Sequence, residues 1–156
     1  MCIRDRRGAA KAYAIDVGYG QLHNKLRQDA RVVVMERTNA RHLNAGDLPD
    51  SIDLVVIDAS FIGLEKLLPA ARALLRTDGE VLALVKPQFQ VGQGKVGKGG
   101  VVRDPEQRRD AIETLVADAE QLGFELVAQA DSVITGPKGN QETFIRLRRL
   151  AEAPAP

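Results

Sequence analysis

Val81-Leu-Ala-Leu-Val-Lys-Pro-Gln-Phe-Gln-Val-Gly-Gln-Gly-Lys-Val-Gly-Lys-Gly-Gly-Val-Val-Arg103-Asp104 is the stretch on which the fold turns, because an apolar run of strand length halts at charged Lys86 and Pro87. Such a run reads as a buried parallel strand that delivers a lysine to a loop. In open α/β sheets, ligands bind in the crevice outside the carboxyl ends of the strands, so a lysine placed there is a candidate for chemistry or for holding an anion. The glycine-rich loop that follows carries Lys95, Lys98 and Arg103. Its glycines permit close backbone approach to a polyanion and its cations attract phosphates, although a basic run is often no more than a solvated face.

Outward from that stretch, short β-branched runs alternate with helical patterns, the mark of a mostly parallel sheet with helices on both faces. Six strands are predicted, at Tyr13 to Asp16, Arg31 to Glu36, Leu54 to Asp58, Val81 to Lys86, Phe124 to Ala130 and Thr143 to Leu150. Leu64, Leu67, Leu68, Ala71 and Leu75 form a 3.6-residue stripe that predicts a helix closed by Asp78-Gly79. A second helix is marked by Asp104 as N-cap, Pro105 at the first helical position, a stripe of Ile112, Leu115, Val116, Ala119 and Leu122, and Gly123 beyond its end.

At 156 residues and 44% hydrophobic content, the chain is large enough for one domain with a core of its own. The longest apolar runs fall well short of the roughly 20 residues of a membrane span, and the start lacks the apolar centre of a secretion signal, so a cytoplasmic protein is expected. Cys2 is the single cysteine, which argues against disulfides, zinc sites and a thiol nucleophile. The net charge of +1 supplies no global attraction to nucleic acid, so any RNA contact must come from a local patch. His23 and His42 have no partner at ligand spacing and read as structural. Aromatic residues are few; Phe61 and Phe89 near strand ends can stack on a base but read first as packing residues.

Three polar residues stand at strand ends: Asp58 after Leu-Val-Val-Ile, Lys86 after Leu-Ala-Leu-Val, and Glu142 just before Thr-Phe-Ile-Arg-Leu. Chains commonly turn polar on leaving a core, which is the bland account of any one of them. Two acids and a lysine converging on one crevice would shift one another's titration and leave the lysine poised for proton transfer or held charged against phosphate.

The segments Tyr13-Ala-Ile-Asp-Val-Gly-Tyr-Gly-Gln-Leu22, Val34-Met-Glu-Arg-Thr-Asn-Ala-Arg41, Val55-Val-Ile-Asp-Ala-Ser-Phe-Ile62, Val85 to Gly92, Gly94 to Asp104 and Ile134-Thr-Gly-Pro-Lys-Gly-Asn-Gln-Glu142 resemble the TlyA or hemolysin-A type of S-adenosylmethionine-dependent RNA methyltransferase. The likeness runs from about Lys11 to Leu150 and rests most on the long lysine-glycine loop. It implies an FtsJ-like, Rossmann-like α/β methyltransferase domain that moves a methyl group from S-adenosylmethionine to a ribose 2′-hydroxyl of ribosomal RNA. It also implies a lysine, aspartate, lysine and glutamate set, of which Asp58, Lys86 and Glu142 match three. On the same basis Asp16, Gly18, Asn39 and Asp58 would contact the cofactor, Lys95, Lys98 and Arg103 the RNA, and no metal would take part. A pore-forming role, which the word hemolysin suggests, is not supported by any long apolar or strongly amphipathic basic segment.

Departures from the family pattern are equally informative. Its first strand, the glycine-rich turn after it and the helix with the first catalytic lysine should precede Tyr13, and an RNA-binding S4-like domain should lie further upstream. Residues 1–10 look unlike the family and 151–156 read as a disordered tail, so an amino-terminally truncated domain over 11–150 is expected, with its own activity left open. Gln90 stands where glutamate is expected. Two other readings compete: a non-catalytic RNA-binding remnant, and a nucleotide-dependent oxidoreductase in which Asp16-Val-Gly-Tyr-Gly20 is the first glycine turn and Glu36 the ribose acid.

Overall fold

The computed structural model describes residues 8–91, 96–97, 99–136 and 138–151. The chain divides into two compact units, Met1–Leu43 and Asn44–Pro156. The first holds β1 (Ala12–Ile15), the short helix α1 (Asn24–Arg27) and β2 (Val32–Met35). β1 and β2 pair in parallel, Ala12 opposite Val32 through Ile15 opposite Met35.

The second unit contains β3 (Ile52–Ile57), α2 (Leu68–Leu74), β4 (Leu75–Val85), α3 (Pro87–Gln90), α4 (Pro105–Gln121), β5 (Phe124–Asp131) and β6 (Thr143–Arg149). Its four strands lie in the order β3-β4-β6-β5. β3 and β4 run parallel, whereas β6 is antiparallel to both of its neighbours, so β6 alone reverses direction. All six predicted strands are therefore present, with ends displaced by a few residues except at β4.

β4 is longer than predicted because the helix before it is shorter. Pro69 lacks an N–H and disfavours helical geometry in the residue before it, so it belongs in a first turn. Leu64–Lys66 accordingly form a separate 3-10 turn and α2 starts only at Leu68. Leu75, counted in the helical stripe, adopts φ −71 and ψ 144 and is buried as a strand residue instead. Asp78-Gly79 is then a turn within the β4 run rather than a helix stop, with Asp78 in the left-handed region at φ 60. Glycine is required at 79, where a Cβ would lie 2.9 Å from the Arg76 carbonyl and 2.9 Å from Leu75 Cδ2. α4 follows its sequence signals: Asp104 caps it by accepting from the Glu106 N–H at 2.9 Å, and Gly123 follows it at φ 78.

Burial alternates along the central strands with a period of two, which means that one sheet face is covered and the other is open. Val81, Ala83 and Val85 of β4 and Ile145 and Leu147 of β6 are fully buried, together with Leu68 of α2 and Leu115 and Ala119 of α4. Of the helices on both faces that the pattern predicts, the described residues of this unit supply one layer. On the open face Leu54, Val56, Leu82 and Phe144 stand 36 to 46% exposed. A contiguous apolar surface of this kind drives association. The chain is expected to self-associate at micromolar concentration, and Val56→Lys should shift the sedimentation profile toward monomer; a wild-type monomer at high concentration would contradict this.

The same face carries one strong electrostatic cluster. Arg146 donates to both carboxylate oxygens of Glu80, Nε to Oε2 at 3.0 Å and Nη2 to Oε1 at 2.7 Å, with Arg148 at 3.8 Å. Hydrogen bonds from Arg146 hold the Glu80 carboxyl below its ordinary value against the opposing effect of burial. A depressed folded-state value stabilises fully above the unfolded carboxylate range and is lost as pH falls through the folded one. Glu80→Gln is thus expected to cost about 0.5–1 kcal/mol at neutral pH, after allowing for solvent screening, and nothing once Glu80 is protonated. Urea titrations at pH 7 and pH 3 check this difference.

Candidate functional site

The carboxyl ends of β3 and β4 place Asp58 and Lys86 together, as the sequence predicts. Lys86 Nζ lies 2.6 Å from Asp58 Oδ1. It also donates to Ser60 Oγ at 3.1 Å, a partner the sequence reading missed although Ser60 sits two residues beyond Asp58. The lysine side chain is mostly buried, 15% exposed, whereas that of Asp58 is 64% exposed. Lys86 therefore reaches outward from the core to a solvent-facing carboxylate. An ammonium has three N–H donors, and with two engaged the third has no acceptor among the described residues.

Strand register puts Glu142 at the same rim. Val85 pairs with Thr143, so Lys86 and Glu142 are the next opposing positions of the β4 and β6 ladder and share a face. Ile57 pairs with Ala83, which gives Asp58 the same parity. Glu142 is 7% exposed, and its side-chain carboxylate makes no hydrogen bond or ion pair among the described residues. Its oxygens are not among the enclosed unsatisfied atoms of the described residues, so the carboxylate keeps access to solvent at the rim. Its carboxylate lies against Gly136, where a Cβ would be only 2.7 Å from Oε1. The neighbouring Thr143 hydroxyl donates to Asp131 at 2.7 Å, and Ser132 N–H donates to the Glu142 carbonyl at 2.8 Å, so the backbone on either side of the acid is tied down.

In the first unit, Asp16 follows β1 in an Asx turn: its Oδ1 accepts from the Gly18 N–H at 2.7 Å, and its carbonyl accepts from the Thr38 N–H. Asp16 itself is exposed. Gly18 is tightly enclosed, a Cβ there lying 3.0 Å from Asp16 Oδ1. Asn39, an exposed residue, caps the 3-10 turn Ala40–His42 by accepting from Arg41 N–H at 3.1 Å. Beside them, the Arg37 guanidinium stands 4.6 Å from the centre of the exposed Tyr19 ring, a pairing that sequence reading did not single out.

Glu36, the ribose acid of the oxidoreductase reading, is taken internally. Its carboxylate accepts from Arg27 at 2.7 Å and from Gln21 N–H at 3.2 Å. Between β2 and β3 only a 3-10 turn is formed, where that reading requires a helix and a further strand. His23 and Gln90 also have structural duties. His23 Nδ1 accepts from Lys25 N–H at the start of α1. Gln90 accepts from Leu64 N–H and donates to Glu65, which a glutamate at position 90 could not do.

Phe61 overturns its packing assignment. It is 92% exposed, adopts φ 65, and touches Phe89 with ring centres 5.2 Å apart at 48°. A non-glycine residue with φ above zero is costly unless the surroundings require it. Of the basic loop, Arg103 is exposed just before the Asp104 cap, whereas Lys95 and Lys98 lie outside the described residues. No group of three metal-ligating side chains occurs among the described residues, and no described helix is long and apolar enough to cross a membrane.

Comparison with known proteins places this geometry. The model of the FtsJ-like methyltransferase family matches residues 1–149. The chain belongs to the FtsJ-like methyltransferases. Within the family it is similar to the 16S/23S rRNA (cytidine-2′-O)-methyltransferase TlyA of Mycobacterium tuberculosis, 49% identical over 142 residues, which are 91% of this chain and 53% of the relative. It is 39% identical over 138 residues to hemolysin A of Brachyspira hyodysenteriae, covering 88% of this chain and 58% of the relative. A Streptococcus thermophilus protein whose solved structure carries a hemolysin name superposes with a TM-score of 0.92 at 38% identity, over 96% of this chain and 55% of that one. This FtsJ-like chain thus spans about half the length of the curated relatives it matches.

Proposed function

We propose that this chain is the methyl-transferring part of an S-adenosylmethionine-dependent ribosomal RNA methyltransferase acting on a ribose 2′-hydroxyl. The observation that carries the reading is the Lys86 ammonium, bonded to Asp58 and Ser60 with a third donor unused among the described residues, on a rim shared with Glu142. When bound, S-adenosylmethionine supplies an electrophilic methyl group on a sulfonium. Lys86 directs its remaining N–H at the ribose oxygen and stabilises the negative charge that grows there as the oxygen attacks. Asp58 and Ser60 fix the direction of that N–H, and Glu142 orients the hydroxyl by accepting its hydrogen bond. As the new carbon-oxygen bond forms, the methyl group would leave the sulfonium with its carbon–sulfur electron pair returning to sulfur, so that S-adenosylhomocysteine departs, while the hydroxyl proton passes to Glu142 or to solvent. From the family resemblance, Asp16, Gly18 and Asn39 of the first unit are assigned to the nucleoside part of the cofactor and Asp58 of the second to its sulfonium; Asp16 Oδ1 and Asn39 Oδ1 already accept the Gly18 and Arg41 N–H groups. No step needs a metal.

RNA is proposed to be held by Arg103, with Lys95 and Lys98 of the same loop, and by the exposed ring of Phe61. A single base-aromatic stack contributes about 1–3 kcal/mol, so Phe61→Ala is expected to weaken RNA binding by roughly 5- to 150-fold with S-adenosylmethionine binding unchanged. Filter binding and calorimetry check the two halves of that statement. We propose, from the family resemblance and from a chain that spans about half the length of its curated relatives, that the full protein also has the family's first strand, its first catalytic lysine and an S4-like RNA-binding domain, and works in the cytoplasm beside its ribosomal substrate.

The deciding experiment incubates the protein with isolated ribosomal RNA and S-adenosylmethionine labelled in the methyl group, then maps 2′-O-methylation. Label at a ribose 2′ position is expected. Salt-dependent RNA binding without any S-adenosylmethionine binding would favour the non-catalytic remnant. Label on a base would overturn the 2′-hydroxyl assignment.

A further inference from the structure

Asn140 is buried, 2% exposed, and spends both ends of its side chain on a segment about 40 residues away. Its Oδ1 accepts from the Val102 N–H at 2.9 Å, and its Nδ2 donates to the Gly100 carbonyl at 2.9 Å. A carbonyl facing an N–H and an amide facing a carbonyl form the complementary arrangement; the reversed amide would set donor against donor. The two backbone groups belong to a closed turn in which Gly100 N–H bonds to the Gly97 carbonyl and Gly97 N–H to the Val101 carbonyl. Gly100 sits at φ 82, and a Cβ added to it would meet Lys138 Nζ at 3.3 Å, so the Lys138 side chain lies across this turn. On its own side, Asn140 accepts from Gly136 N–H through its carbonyl. Gly136 is the residue against which the Glu142 carboxylate rests.

We propose that Asn140 is a positioning residue that locks the end of the basic loop, with Arg103 and Lys138, to the turn that seats Glu142, so that RNA grip and the rim chemistry share one rigid piece. This rests on the proposed RNA methyltransferase reading. The ligand chemistry is the phosphate backbone of the RNA, because the clamp orders exposed cations on both segments it joins, Arg103 two residues from the Gly97 to Val101 turn and Lys138 across it. Asparagine is suited to the place and aspartate is not: the carboxylate keeps the bond from Val102 but turns an acceptor toward the Gly100 carbonyl.

Asn140→Asp, Arg103→Ala and the double variant are compared in the protein by RNA affinity across a salt series, S-adenosylmethionine affinity and turnover. For Asn140→Asp we expect RNA affinity to fall at least tenfold, S-adenosylmethionine affinity to stay within twofold, and the slope of log affinity against log salt to shrink by about one phosphate contact or more. Arg103→Ala should add little to Asn140→Asp, since a released cation no longer contributes. Additive losses, an unchanged salt slope, or equal falls in both affinities with a lower melting temperature would overturn the proposal and leave Asn140 a folding residue. If Asn140→Asp does not fold, Asn140→Ser carries the same comparison, and wild-type hydrogen exchange reads the clamp directly: a Val102 amide that exchanges at the open-loop rate overturns it. Failure of the wild-type protein to methylate RNA would instead defeat the underlying functional reading.

Discussion

Replacing Lys86 by alanine is expected to lower methyl transfer by about 10²- to 10³-fold, the usual cost of removing one preorganised donor from a developing oxyanion. The fall should lie in turnover, with S-adenosylmethionine affinity changed little, because the donor is aligned with a charge that exists only in the transition state. Folding does not account for so large a loss. The partner Asp58 is 64% exposed, so an unpaired carboxylate there is hydrated and the broken pair costs at most about 1 kcal/mol. Lys86→Arg should recover little, since a planar guanidinium cannot direct a single N–H along the path set by Asp58 and Ser60. Single-turnover assays beside thermal melts separate the two effects. Near-normal turnover in a folded Lys86→Ala protein would remove the lysine from the chemistry.

Adding one methyl group at Gly136 is the second large effect. Its Cβ would arrive 2.7 Å from Glu142 Oε1 and 3.2 Å from Cδ, closer than real contacts allow. The clash is with the far end of a side chain, and Gly136 does not occupy the left-handed region, so alanine is tolerated by the backbone. The carboxylate moves instead. A displacement approaching 1 Å at a group that orients a nucleophile costs about 10²-fold, so Gly136→Ala is expected to lose 10- to 100-fold in turnover with a melting temperature close to wild type. Glu142→Gln should mimic it, and the two together should lose little more than either alone. Unaltered turnover in Gly136→Ala would separate Glu142 from the reaction.

The legibility of this chain depended on whether a signal was local. The ends of α4 were readable because Asp104, Pro105 and Gly123 each act on their own backbone. The Leu64 to Leu75 stripe misled, since periodicity counts side chains while Pro69 decides where a helix can begin, and Leu75 serves a strand equally well. Asp58 and Lys86 were recognisable as polar ends of apolar runs, and their contact follows from two parallel neighbouring strands. Glu142 joined them only because β6 reverses, which no local pattern reveals. Ser60, Asn140 and Gly136 escaped notice for a related reason: each matters through a residue distant in sequence.

Among the described residues, β3 hydrogen-bonds to β4 along one side, and its other side presents amide and carbonyl groups beside Leu54 and Val56. A ribbon of backbone left half-satisfied is a template for any extended peptide that reaches it. A short synthetic strand with alternating apolar residues is therefore the natural reporter of that edge, and its capture competes with pairing between copies of the chain.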